Sequence, residues 1–212
     1  MLLEAKDIHK HYGDLHVLKG VDVAIKSGEI VSIVGASGAG KDSIINYAQN
    51  HLYSKLNRIL FAHRYVTRPA TTTGENYVSL SKEEFTRRSN AGLFLMEWKS
   101  HNLYYGVGNE VDLWVNRGFW VVVNGSREYY IANKSMFENI IPVTIAAETK
   151  LIAERLNTRA REKKDAIAER VQRNAVLEKQ IKQENVIWNN GSLEQAGDSF
   201  LELLCSIQNR EL

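Results

Sequence analysis

The sequence predicts an α/β fold in which helices cover a mainly parallel sheet. A glycine-rich turn at residues 35–41 separates an apolar, strand-like run at 29–34 from residues 44–52, whose apolar positions recur at helical spacing. Another apolar run, Phe-Trp-Val-Val-Val-Asn at 119–124, shows no polar alternation and is rich in β-branched residues. Such a run is typical of a central parallel strand that is covered on both faces.

The remaining elements extend this pattern along a chain of 212 residues, a length that suits one main domain with inserted flaps. Further strands are predicted at 3–8, 16–25, 140–146 and 186–188, and helices at 82–90, 108–117, 148–183 and 193–208. The apolar stripe of the last helix indicates core packing. Trp188, in the last strand, is interpreted as a core residue.

The composition favours a protein that binds small anions. A net charge of +2 and an isoelectric point near 8.5 are too mildly basic to indicate a nucleic-acid partner. No run approaches the roughly 18 apolar residues of a membrane span, and the N-terminal segment lacks the apolar core of a secretory signal. Cys205 is the single cysteine, so no intrachain disulfide can form. We therefore expect a cytoplasmic protein without a membrane partner, and the histidine spacing predicts no zinc site.

The glycine-rich turn has the spacing of a Walker A phosphate-binding loop. Small residues let backbone N–H groups approach phosphate oxygens, and the N-terminus of the following helix adds positive potential. The lysine would bridge the β- and γ-phosphates of ATP. The predicted nucleotide-binding residues are Gly35, Ala36, Ser37, Gly38, Ala39, Gly40 and Lys41.

The residue after the lysine departs from the usual motif. A Ser or Thr normally stands there and ligates Mg²⁺, whereas this chain has Asp42 followed by Ser43. Either Asp42 contacts the ion through water while Ser43 touches a phosphate, or nucleotide oxygens hold most of the coordination sphere. ATP and Mg²⁺ are thus the predicted cofactors, with Asp42 and Ser43 as candidate metal and nucleotide contacts.

Residues 1–41 resemble the front end of an ABC-transporter ATPase of the lipoprotein-releasing type. The resemblance is carried by the segment from Leu3 through Tyr12-Gly13 to Lys41, and it implies that Tyr12 stacks on adenine. The signature Leu-Ser-Gly-Gly-Gln and a strand ending in Asp-Glu do not follow downstream. The resemblance therefore ends at the loop, and a transport ATPase fragment is a lesser alternative.

Residues 35–204 resemble the guanylate kinase superfamily, and within it the ribose 1,5-bisphosphate phosphokinases of phosphonate catabolism. The matching segments are GKDS at 40–43, HRYVTRP at 63–69, GEN at 74–76, LYYGVG at 103–108, VVNGSR at 122–127 and NNGSL at 189–193. Lys-Asp-Ser in the loop belongs to this resemblance too. It implies ATP-dependent phosphorylation of ribose 1,5-bisphosphate to 5-phosphoribosyl diphosphate.

Catalytic arginines are implied on a helical lid at about 155–173. Arg159 and Arg170 lie eleven residues apart, about three helical turns, and a pair of similar spacing closes over the phosphates in guanylate kinases. Arg161 could share this role. The alternative is a solvated helix face, because acidic residues are interleaved with these arginines.

An acceptor site is implied at about residues 63–108, with two further candidate residues after this range. Guanidinium forks suit phosphate groups, and Arg68 matches the acceptor arginine of guanylate kinases, whereas their second acceptor arginine is missing around 70–73. Asn124 stands where those enzymes carry an acidic residue, which favours a sugar phosphate over a nucleotide. Asn189 would lie near adenine. The candidate substrate-binding residues are Arg64, Thr67, Arg68, Glu75, Asn76, Tyr104, Tyr105, Asn124 and Arg127.

Two resemblances that meet inside one loop suggest a chimera. Residues 1–28 would form an added β extension, and 29–212 a kinase domain. A joined chain can lose about a hundredfold in rate through a misplacement of about 1 Å. An impaired ATP-binding scaffold is therefore the main alternative to an active kinase.

Overall fold

The computed structural model describes residues 3–12, 15–25, 28–52, 56–69, 76–100, 102–133, 140–158 and 185–209. Its strands are β1 (Leu3–Tyr12), β2 (Leu15–Ile25), β3 (Ile30–Gly35), β4 (Ile59–Phe61), β5 (Arg64–Val66), β6 (Tyr77–Ser79), β7 (Phe94–Ser100), β8 (Leu103–Gly108), β9 (Trp120–Asn124), β10 (Ile140–Ala146) and β11 (Val186–Trp188). Its helices are α1 (Lys41–Asn50), α2 (Lys82–Asn90), α3 (Glu110–Val115), α4 (Arg127–Ala132), α5 (Thr149–Thr158) and α6 (Leu193–Asn209).

A five-stranded sheet forms the centre of the fold, in the order β11-β10-β3-β9-β4 with every neighbouring pair parallel. The β-branched residues of β3 and β9 are almost fully buried, as strands covered on both faces require. The predicted α/β fold is confirmed, and β3 delivers the glycine-rich loop at its carboxyl end.

Side chains on the two faces of this sheet enter two separate clusters. Val31, Ile33 and Ile145 pack against α1, α5 and α6, whereas Ile30 and Val123 pack against α3, β7 and β8. Alternate residues of one strand therefore stabilise both layers.

A second sheet, in the order β6-β5-β8-β7, was not predicted. Its pairings are mixed, because β5 is parallel to β6 and antiparallel to β8. β5 and β6 have only three residues each, too few to produce a readable period of two. Its strands carry the predicted acceptor residues Arg64, Tyr104 and Tyr105.

The N-terminal strands pair with each other as an antiparallel hairpin, with His11 opposite His16 and Tyr12 opposite Leu15. An added N-terminal β segment was predicted, and the hairpin confirms it. Both strands extend further toward the connecting turn than the predicted spans 3–8 and 16–25.

Helix predictions were accurate for α2 and nearly so for α6. The helix predicted at 108–117 is shorter, because β8 extends to Gly108, and α4 was not predicted. The helix predicted at 148–183 is seen as α5, and residues 159–183 lie outside the described part. Among the described helices, none is long and apolar enough to cross a membrane.

The interpretation of Trp188 as a core residue was wrong. Its side chain is 60% exposed, whereas its neighbours Ile187 and Asn189 are buried. β11 is an edge strand, and successive side chains of a strand point to opposite faces. Trp188 therefore occupies the side of the strand that is open at this edge.

Candidate active site

The glycine-rich loop connects β3 to α1 through backbone conformations that favour glycine. Gly38 and Gly40 have φ values of +88° and +96°. A Cβ on Gly35 would lie 2.3 Å from the carbonyl oxygen of Ile145, so the loop approaches β10 too closely for any side chain. No side chain caps the described N-terminus of α1. Its first-turn N–H groups can therefore receive an anion.

Lys41 lies over the loop. Its Nζ donates to the carbonyl oxygens of Gly35 at 3.0 Å and Ala36 at 3.2 Å. Ser37 and Ser43 are exposed on either side. A bound triphosphate would offer this ammonium group anionic oxygens in exchange for these two carbonyl oxygens.

Asn189 forms a hydrogen bond to the glycine-rich loop. Its side chain is buried, and Nδ2 donates to the carbonyl oxygen of Ala39 at 2.7 Å, while its backbone N–H donates to Ala146 at 2.8 Å. Arg155 donates from one terminal nitrogen to the Asn189 carbonyl oxygen at 3.0 Å, and its other terminal nitrogen is buried with no acceptor among the described residues. The expected adenine contact of Asn189 stays a prediction.

Replacing Asn189 by alanine should loosen the loop. The carbonyl oxygen of Ala39 would lose its donor in a buried setting, which costs about 1–3 kcal/mol. Urea unfolding should show this loss, and ATP titration should show weaker binding. Asn116→Ala, at an exposed position, is the matched control. An Asn189→Ala protein with unchanged stability and ATP affinity would contradict the assigned role.

Asp42 joins the loop helix to two candidate acceptor residues. Its Oδ1 accepts hydrogen bonds from Arg64 at 3.1 Å and from Nδ2 of Asn124 at 2.5 Å. The Arg64 side chain is only 11% exposed and that of Asp42 35%, so the carboxylate supplies a counter-charge to a largely buried guanidinium group. Asn124 is buried, and its Oδ1 has no hydrogen-bond donor among the described residues.

A small, partly open cleft lies beside this cluster, between α1 and the carboxyl ends of β4 and β9. Ligands bind at this edge of open α/β sheets. The cleft thus gathers three predicted site residues, together with four that were not predicted. Its lining is formed by Asp42, Ile45, Asn46, Ala62, Asn76, Val122 and Asn124.

The second sheet places further candidates near Arg64. Arg64 lies 5.6 Å from the ring centre of Tyr105, and Arg68 lies 4.4 Å from that of Tyr77. These distances suit cation–π contacts. The hydroxyl of Thr67 accepts from the backbone N–H of Tyr104 at 2.9 Å, which ties β5 to β8. Thr67 is therefore engaged in the sheet, whereas the Tyr104 side chain is exposed.

Tyr65 points to the opposite face of β5 from Arg64. Its hydroxyl donates to Glu110 at 3.3 Å. Burial, followed by the negative charge of Glu110, raises the pKa of Tyr65 above its ordinary value. The phenol stays protonated and serves as a structural donor beneath the candidate acceptor residues.

The remaining predicted residues are one buried arginine and five whose side chains lie outside the described part. Arg127 is buried at the start of α4. The side chain of Tyr12 lies outside the described part, as do Glu75, Arg159, Arg161 and Arg170. Among the described residues, no three His, Cys, Asp or Glu side chains form a group suited to a metal ion.

The sequence prediction missed Asn46, although one signal pointed to it. Asn46 follows Asp42 by four residues on α1, and residues at this spacing share a helix face. Ile45, Ala62 and Val122 carry no comparable signal, because apolar residues in such elements are ordinarily core.

The sheet order and the glycine-rich loop together define a P-loop fold of the guanylate kinase type. The crystal structure of guanylate kinase from Anaplasma phagocytophilum has a TM-score of 0.60 to this fold, covering 86% of this chain and 87% of that chain at 20% identity. No protein-family model matches the chain.

Sequence relatives give the particular family. The chain is 41% identical over 178 residues to "Ribose 1,5-bisphosphate phosphokinase PhnN" of Psychromonas ingrahamii, covering 84% of this chain and 90% of the relative. It is 42% identical over 182 residues to the protein of the same name from Chromobacterium violaceum, covering 86% and 96%. The chain belongs to the ribose 1,5-bisphosphate phosphokinase family.

Proposed function

We propose that this protein transfers the γ-phosphoryl group of ATP to ribose 1,5-bisphosphate and releases ADP and 5-phosphoribosyl diphosphate. The observation that carries this proposal is an identity of about 40% to relatives of that name over most of their length. An oxygen of the acceptor's 1-phosphate attacks the γ-phosphorus, and the bond to the β-phosphate oxygen of ATP breaks. The attacking oxygen is already ionised, so no general base is required.

Catalysis then rests on placing donor and acceptor in line and on cations over the transferring oxygens. The loop amides from Gly35 to Lys41 hold the β- and γ-phosphates, and the Lys41 ammonium neutralises charge there. We assign Arg159, Arg161 and Arg170 to a lid that closes over the same phosphates. The spacing of Arg159 and Arg170, about three helical turns, supports this assignment because it resembles that of the lid pair of guanylate kinases.

Mg²⁺ supplies charge neutralisation at the β- and γ-phosphates when bound. Mg²⁺ in kinase sites uses substrate phosphates, water and one or two protein oxygens. Since Oδ1 of Asp42 already accepts two hydrogen bonds, we favour the alternative in which nucleotide oxygens hold most of the ion. The exposed hydroxyl of Ser43 suits a direct contact with the ion. The second carboxylate oxygen of Asp42 suits a contact with the ion through a water molecule.

The acceptor would bind between the loop and the second sheet. Arg64 and Arg68 are proposed to hold its phosphates, with Tyr104 and Tyr105 donating from their hydroxyl groups. Glu75, Asn76 and Asn124 are assigned to the sugar. The buried Arg127 and Thr67 would support this wall of the site.

Residues 1–28 are proposed to form an extension of separate origin, joined to a kinase domain at 29–212. The pairing of β1 with β2 as their own sheet supports this division. The relatives span 84–86% of this chain, which fits a kinase domain with an added segment. An adenine contact of Tyr12 would couple the two parts. We also place this protein in the cytoplasm, since an ATP-dependent kinase needs a compartment that supplies ATP.

The direct test offers ATP and Mg²⁺ with ribose 1,5-bisphosphate or, separately, GMP. We expect ADP release that depends on the sugar bisphosphate and exceeds the rate with GMP by about a hundredfold or more, since the second acceptor arginine for GMP is missing. Phosphorus NMR should identify the diphosphate product. ATP binding without transfer to the sugar would overturn the proposal and indicate an impaired scaffold.

A further inference from the structure

We infer that Asp42 positions the acceptor site, by fixing Arg64 and turning Oδ1 of Asn124 toward a secondary hydroxyl of the acceptor sugar. The inference rests on the proposed function and deepens it. It gives the unusual residue after the loop lysine a role in acceptor selection.

The first step is the position of Asp42 between two parts of the fold. It lies in the first turn of α1, where the helix N-terminus stabilises a carboxylate. Arg64 reaches it from β5 in the second sheet, across 22 residues of sequence. A Ser or Thr at this position would carry no charge for that guanidinium group. Asp42 thus links the phosphate loop to the second sheet, where Arg64 lies.

The second step is the orientation of Asn124. A carboxylate only accepts hydrogen bonds, so the amide group that faces Asp42 must be Nδ2. This contact fixes the amide and directs Oδ1 elsewhere. Oδ1 is buried, finds no donor among the described residues, and belongs to a side chain that lines the cleft.

The third step is the chemistry that Oδ1 selects. An amide oxygen needs a donor, and a fully ionised phosphate has none to give, whereas a sugar hydroxyl does. Ribose 1,5-bisphosphate carries hydroxyl groups at C2 and C3. Asn46 and Asn76 line the same cleft and can donate or accept beside Asn124. A substrate that lacks the hydroxyl would leave Oδ1 buried and unpaired, and sites of this kind reject such analogues strongly.

The decisive experiment compares ribose 1,5-bisphosphate with its 2-deoxy and 3-deoxy analogues in the wild-type protein and in Asn124→Ala. The wild type should prefer the parent sugar over one analogue by about tenfold or more in kcat/KM. Asn124→Ala should reduce that preference to less than about threefold, since the unpaired oxygen is gone. A merely structural role would lower the rates of all three sugars equally and leave the preference intact.

Asp42→Asn tests the positioning role with nearly unchanged shape. We expect the KM of the acceptor to rise about tenfold or more, because Arg64 loses its counter-charge, while the KM of ATP and the Mg²⁺ dependence change less than about threefold. Asp112→Asn, at an exposed position on α3, is the matched control. A changed Mg²⁺ dependence with an unchanged acceptor KM would instead make Asp42 a metal ligand.

The outcomes separate this inference from the proposed function. No turnover of the parent sugar by the wild type would overturn both. Turnover of the parent and of both deoxy analogues at equal kcat/KM would overturn the hydroxyl contact alone. Melting temperatures of the variants within a few degrees of the wild type would exclude misfolding as the cause of a lost preference.

Discussion

Replacing Lys41 by alanine should lower kcat/KM for phosphoryl transfer by about a hundred- to a thousandfold, the usual effect of removing one group that stabilises charge in the transition state. The ammonium group lies over the loop, within hydrogen-bond distance of two of its carbonyl oxygens. Without it, the β- and γ-phosphates lose a full positive charge in a site from which water is partly excluded. Steady-state ADP release measures the rate, and calorimetric titration measures the ATP affinity.

Lys19→Ala is the matched control, because this lysine is exposed on the N-terminal hairpin. It should leave turnover and ATP affinity unchanged. An unchanged ATP affinity in Lys41→Ala would refute the phosphate-loop assignment. A loss of turnover in both variants would show that the hairpin participates in the site.

The phosphate loop could be predicted from sequence because its determinants are local. Strand, glycines, lysine and helix follow one another within residues 30–50, and the positive φ values of Gly38 and Gly40 explain why glycine stands there. The hydrogen bond from Asn189 to the loop could not be predicted in this way. Its side-chain amide donates to Ala39 across 150 residues of sequence. Position 40 needs a glycine partly for the same reason, because a Cβ there would lie 2.3 Å from the nitrogen of that amide.

The acceptor side was predicted from residue types and from resemblance, and not from a local pattern. Asp42, Arg64 and Asn124 come from α1, β5 and β9, separated by 22 and 82 residues, and no local pattern joins them. The second sheet contains strands of three residues, whose pairing with β8 arises from tertiary contact and not from a readable alternation. Residue types could therefore suggest phosphate binding at Arg64, but not that its partner would be the anomalous residue of the loop.

Burial was the other quantity that sequence left open. Phe200 and Trp188 are both aromatic residues close to apolar neighbours, yet one is fully buried and the other 60% exposed. Phe200 lies on the apolar stripe of a long helix, where periodicity specifies the buried face. Trp188 lies in a three-residue edge strand, where neither period nor length decides which face is covered.

Phe200→Ala should destabilise the protein by about 3–5 kcal/mol, the range for deleting a buried aromatic ring. Phe200 on α6 packs in the cluster that joins α1, α5 and the central sheet. The cavity would lie in this shared cluster, so the packing of α1 against α6 should weaken as well. Urea unfolding, followed by circular dichroism, measures the free energy of unfolding.

Trp188→Ala serves as the contrast, because it removes a larger ring from an exposed site and should change stability by less than about 1 kcal/mol. The two substitutions are similar in chemistry and opposite in burial, so their difference isolates the contribution of the core. Equal losses in both variants would mean that Trp188 is covered in solution and that the edge of β11 is not open. A small loss in Phe200→Ala would mean that α6 does not hold the sheet in place.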